Sequence, residues 1–96
     1  MLWEKWDEVI TDYYEVKTRR NKMNTYPDTM ITTAKLSNDK PIILLFNYTD
    51  CLTYIRYDEE LFSTFRRESF SRGRINEKAS EHIFVPIEKL TVIKNY

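Results

Sequence analysis

Tyr13-Tyr14-Glu15-Val16-Lys17-Thr18 is the stretch whose reading decides the fold. It is rich in aromatic and β-branched residues and places charges at alternate positions, which reads as a strand. Period 2 sets Tyr13, Glu15 and Lys17 on one face and Tyr14, Val16 and Thr18 on the other. Downstream, residues 19–27 carry Asn21, Asn24 and Pro27 and read as a loop. Asp28 is placed to cap a short helix running to about Ser37, with Met30, Ile31 and Ala34 inward. Ile42 to Phe46, after Pro41, has the length and branching of a strand buried on both faces. Asn47 to Asp50 turns the chain, and Cys51 to Tyr57 returns as a second strand. Glu59 to Phe70 is spaced as an amphipathic helix with Leu61, Phe62, Phe65 and Phe70 inward. Ser71 to Ser80 is a polar, basic loop, and His82 to Ile87 a last strand. Upstream, Leu2, Trp3, Trp6, Val9 and Ile10 recur at helical spacing. The class is α+β or α/β, a mixed central β-sheet flanked by two or three helices in one domain, residues 1–96.

Composition narrows the function classes. At 96 residues a single small domain is expected, and 42% apolar residues with 14 aromatics suffice for a buried core. A lone cysteine, Cys51, excludes an internal disulfide and any multi-cysteine zinc site. The longest apolar run, Ile42 to Phe46, is five residues and far below a membrane span. The first twelve residues are acidic and contain no hydrophobic signal core, so a reducing, cytoplasmic setting is expected. Net charge is zero, but its parts are segregated. Residues 4–15 net −4, residues 17–22 net +4 through Lys17, Arg19, Arg20 and Lys22, and residues 66–78 net +3. Such blocks form either an acidic pocket beside a basic groove or solvated faces that attract one another.

Glu15-Val16-Lys17 is the one feature with a chemical signature. On a strand, a carboxylate and an ammonium two residues apart project side by side. With a second carboxylate nearby they are suited to hold Mg²⁺ through oxygen and to orient a water on it. The lysine would then offset charge developing on a phosphodiester. The alternative reading is a surface ion pair contributing about 0–1 kcal/mol.

The series Tyr14-Glu15-Val16-Lys17-Thr18-Arg19-Arg20-Asn21, then Tyr26-Pro27, a segment containing Lys35, the Pro41–Tyr48 strand and the Thr49-Asp50 turn resembles the PD-(D/E)XK nuclease superfamily. The likeness is to its small phage- and bacterium-type endonucleases and resolvases. It covers roughly residues 6 to 57 and, more faintly, the Phe84–Leu90 ending. It implies a restriction-endonuclease-like core that cuts DNA with Mg²⁺, Mn²⁺ being able to replace it, inside a bacterial host. Glu15 and Lys17 match the Glu-x-Lys half of the motif. If residues 3–9 form a strand turning through residues 10–12, Asp7 falls opposite Glu15 and completes the site. A turn shorter by one puts Glu8 there, and Asp12 would point to the other face. The catalytic set so implied is Asp7, Glu15 and Lys17, with Asp7 and Glu15 on the metal. That set needs a strand where spacing reads as helix, and the usual N-terminal elements must fit into about ten residues. Arg19, Arg20 and Lys22 follow the motif where phosphates would pass, and Lys35 would face the site. Tyr26 is placed to stack or to pack. Cutting two strands implies a homodimer by analogy. The alternative is a nuclease fold without catalysis, binding DNA or a partner protein as a phage accessory or inhibitor. His82 and Cys51 read as structural residues, and Trp3 and Trp6 as core or dimer contacts.

Overall fold

A computed structural model describes residues 13–36, 42–71 and 79–96, apart from the Lys35 side chain. Expectations resting on residues 1–12, including Asp7, Glu8, Asp12, Trp3 and Trp6, and on residues 72–78 lie outside the described residues.

The described chain is strand-rich, with seven strands in two sheets. β1 (Tyr13–Thr18), β3 (Ile42–Asn47), β4 (Cys51–Arg56) and β7 (Thr91–Asn95) form a mixed sheet in the order β1-β3-β4-β7. β1 runs parallel to β3, and the other neighbours are antiparallel. β2 (Asp28–Thr32), β5 (Arg66–Phe70) and β6 (Ser80–Pro86) form an antiparallel sheet in the order β2-β6-β5. The only α-helix among the described residues is α1 (Glu59–Phe62), capped by Asp58, whose Oδ1 accepts from the Glu60 and Leu61 amides. The mixed sheet was legible in the sequence, while the helices expected at Asp28–Ser37 and Glu59–Phe70 are corrected to a second sheet and single turns, and the helical spacing of residues 2–10 lies outside the described residues.

Both sheets feed one core. Ile42, Leu44 and Phe46 of β3 and Cys51, Thr53 and Ile55 of β4 face Ile31 of β2 and Ile83 and Val85 of β6, with Phe62 and Phe65 joining them. The register aligns Glu15 with Leu44 and Lys17 with Phe46. The charged row of β1 therefore lies on the core face of the sheet, and Tyr14 and Val16 lie on the outer face, as period 2 requires. β3 alternates buried with half-buried residues, so only one of its faces is fully covered, not both as its unbroken apolar run implied.

Two expected helices are replaced. Asp28 to Ser37 is instead strand β2 followed by a 3₁₀ turn at Thr33–Lys35. Thr29, Ile31, Thr32 and Thr33 are β-branched, which costs χ1 freedom in a helix and suits a pleated strand. Alternation decides it: Thr29 and Ile31 are buried while Met30 and Ala34 are exposed, so only Ile31 of the expected inward trio is in the core. The second helix, Glu59 to Phe70, stops after one turn. Ser63 and Thr64 hydroxyls donate back to the Glu60 and Leu61 carbonyls at 2.6 Å each, the competing bonds by which these residues end helices. The chain then pairs as β5 with β6. Phe62 and Phe65 are inward as expected and Phe70 is not, because it stacks on His82 at 4.1 Å.

The strand reading of β2 is testable by paired truncations. Ile31→Ala should lower unfolding free energy by about 2–5 kcal/mol in urea titration. Met30→Ala should stay within about 0.5 kcal/mol. Equal losses at both positions would contradict the alternation.

Candidate functional site

β1 carries two charged residues in one row, Glu15 and Lys17, and Arg19 follows directly after the strand. Lys17 Nζ lies 3.2 Å from Glu15 Oε1, with 27% and 31% of the two side chains exposed. Beneath them are Ile31, Leu36 and Leu44, around a space of about 10 Å³. The pair is thus held against apolar side chains at the sheet margin, facing inward. β1 is the edge strand of this sheet among the described residues, where inward charge disfavours pairing with a foreign strand. Glu15 offers oxygen donors of the kind a hard divalent cation takes. Among the described residues no group of three or more His, Cys, Asp or Glu stands together, and Asp7, the expected second carboxylate, lies outside them.

Arg19 continues the row but is used differently from the expectation. Its backbone amide donates to the Asn47 carbonyl at 2.8 Å, extending the β1–β3 ladder. Its side chain crosses to the second sheet, where Nε donates to Thr29 Oγ1 at 3.0 Å and Nη2 to the Met30 carbonyl at 2.6 Å. The guanidinium lies 5.6 Å from the centre of the Phe46 ring. Burial pulls the Arg19 pKa down from its ordinary value and Tyr48 opposes this, but the group stays charged. Arg19 is therefore first a structural link. Arg20 and Lys22 are exposed beside it, and Lys35 ends the 3₁₀ turn after β2.

Residues 19–27 are fixed to the β3–β4 turn. Thr49 donates its amide to the Asn21 carbonyl at 3.1 Å, and the Met23 amide donates to Asp50 Oδ1 at 3.0 Å. This anchoring shapes an open cavity of about 390 Å³ between the loop and β2, with Arg19, Asn21, Tyr26, Asp28, Tyr48 and Arg66 in its walls. Arg66 arrives from β5, lying 3.8 Å over the Phe84 ring, 2.7 Å from Glu68 and 3.7 Å from Asp28. Tyr26 is 60% exposed, while Tyr48 is 4% exposed and its hydroxyl has no hydrogen-bond partner among the described residues. The Thr29 side chain lies near enough to that phenol to offset part of the burial effect in the manner of a hydrogen bond, though the pair falls short of full hydrogen-bond geometry.

Sequence reasoning brought Glu15 and Lys17 together correctly but missed this cavity. Nothing in the local sequence around Tyr48 and Thr29 signals a shared wall, and Asp28 carries the signature of a helix cap. Alternation from Thr29 to Thr33, weighed above the capping signal, would have exposed the wall. His82, expected to be structural, is buried, with its ring Nδ1 2.9 Å from the Ser80 carbonyl. Cys51 is buried as expected, and burial first and then Asp50 push its thiol pKa up. No helix among the described residues is long and apolar enough to cross a membrane. Compared with family models, curated proteins and solved structures, the chain matches none.

Burial raises the Tyr48 pKa above its ordinary value near 10. The unfolded chain then loses this proton at lower pH than the folded one. The associated stability is complete below about pH 10 and falls as pH rises through that value towards the folded pKa. Tyr48→Phe should leave stability at pH 7 unchanged or raised, since it removes an unpaired buried hydroxyl. It should also flatten the fall between pH 9 and 11 in thermal unfolding, Cys51 retaining its own share. An unchanged alkaline slope would contradict this.

Proposed function

We propose that this chain is a Mg²⁺-dependent DNA endonuclease with a restriction-endonuclease-like core, hydrolysing phosphodiester bonds at Glu15 and Lys17. The observation that carries the reading is the pairing of a carboxylate with an ammonium 3.2 Å apart on one face of β1, both partly open to solvent. Glu15 and Asp7 are the residues that would hold the cation, and Mn²⁺ is suited to the same oxygen donors. When bound, the cation lowers the pKa of its water and offsets phosphate charge. Lys17 orients the attacking water and offsets negative charge building at the phosphoryl oxygens. Arg20 and Lys22 position the DNA backbone, with Arg19 behind them and Lys35 at the site's margin. Two copies would present two sites to two strands, so a homodimer belongs to this reading.

A second reading keeps the fold as a DNA- or protein-binding module without hydrolysis. The packing of Glu15 and Lys17 against Ile31, Leu36 and Leu44, with little space around them, favours it.

Cleavage of supercoiled and branched DNA in Mg²⁺, Mn²⁺ or EDTA separates the two. The endonuclease reading expects metal-dependent cutting that falls about 10²–10³-fold in Lys17→Ala. Asp7→Asn should fall comparably, with DNA affinity largely kept. Undiminished cutting by Lys17→Ala, or no cutting in any metal by folded protein, would overturn it. The module reading then expects DNA binding that weakens steeply with salt, or a protein complex that does not.

A further inference from the structure

We infer that the cavity between residues 19–27 and β2 is a pocket for one unpaired nucleotide, so that the preferred substrate carries a single-stranded or extruded base. This rests on the DNA-binding part of the proposed function and assigns a site distinct from Glu15 and Lys17. The volume, about 390 Å³, falls within the range of small-ligand pockets. The wall chemistry selects among ligands of that size. Tyr26, 60% exposed at the cavity, presents an aromatic face on which a base stacks whatever its sequence. Arg66 is held in the wall by the Phe84 ring, Glu68 and Asp28, so its planar guanidinium is fixed in place, and a phosphate reaching it competes with the more distant of its carboxylates, Asp28 at 3.7 Å. Asp28 and the Asn21 amide supply an acceptor and a mixed donor–acceptor group for the edge of a base. The Tyr48 hydroxyl, buried in the wall and unpartnered among the described residues, gains a partner if the ligand presents an acceptor to it. Exposed Arg20 and Lys22 extend the cationic path for the flanking backbone.

A paired duplex keeps its bases stacked inside and offers none of these contacts to a pocket of this kind. The inference therefore concerns strand state, not sequence. The asymmetry between single strand and duplex is its signature.

The test uses fluorescein-labelled single-stranded dT oligonucleotide and a matched blunt duplex, titrated by anisotropy in EDTA so that cleavage plays no part. Wild type should bind the single strand at least about tenfold more tightly. Tyr26→Ala, an exposed position that leaves the core intact, should erase about five- to tenfold of that preference with duplex affinity unchanged. Tyr48→Phe should weaken the single strand severalfold, and deoxythymidine monophosphate should perturb the Tyr26 and Tyr48 ring resonances. Equal affinity for both DNAs, or an unaltered preference in Tyr26→Ala, overturns the pocket. Metal-dependent cleavage persisting in that case leaves the endonuclease reading standing. Loss of cutting with the strand preference intact has the opposite meaning, upholding the pocket alone.

Discussion

Arg19 is the interaction on which the arrangement of the two sheets and both candidate sites depends. Its amide finishes the β1–β3 ladder, and its guanidinium reaches Thr29 and the Met30 carbonyl on β2 beside the Phe46 ring. One residue thus fixes the mixed sheet relative to the antiparallel sheet at the place where loop 19–27 leaves β1. Hydrogen bonds from a charged, half-buried guanidinium are among the stronger side-chain links, about 1.5–3 kcal/mol where the acceptor is buried, as at Thr29, and less at the exposed Met30 carbonyl. The same half-burial removes Arg19 from the surface row, leaving Arg20 and Lys22 as the exposed cations. A lysine there could not make the fork to two acceptors.

The sequence revealed elements whose local signal agrees with their tertiary setting. β1 was legible from its alternation, β3 from its branched apolar run after Pro41 and β4 from the Asn47–Asp50 turn that returns the chain, each agreeing with its tertiary setting, and most of β6 was legible as well. β2 was hidden by Asp28, a good cap residue, which outweighed the β-branched run after it. β5 was hidden because Arg66 to Phe70 continues the helical spacing of Glu59 to Phe65, and only the backward bonds of Ser63 and Thr64 mark the stop. β7 carries no strong local pattern, and all five of its residues are exposed. In each missed case the partner strand, which a local window cannot see, decides the conformation.

The candidate sites divide in the same way. Glu15 and Lys17 are two residues apart on one strand, so their juxtaposition follows from pleat geometry alone. The cavity gathers Arg19, Asn21, Tyr26 and Asp28 with Tyr48 and Arg66, residues brought near only by β2 joining β6 and by loop 19–27 anchoring on the β3–β4 turn. The endonuclease proposal accordingly rests on a short-range motif, and the nucleotide pocket on long-range topology. The register of β1 against β3 joins the two. A slip of one residue would turn Glu15 and Lys17 outward and bring Tyr14 and Val16 onto the core face.

The central claim is that the inward charged row of β1 is a metal-assisted site as well as an ion pair. The most direct measurement is a crystal structure of the protein grown with Mn²⁺, with the ion located by its anomalous scattering. The account predicts a peak at direct coordination distance from the Glu15 carboxylate, with a second carboxylate, that of Asp7, on the same ion and Lys17 turned towards the open side. A well-ordered Glu15–Lys17 pair with no peak beside it, at millimolar Mn²⁺, would contradict the claim and leave the row a structural device.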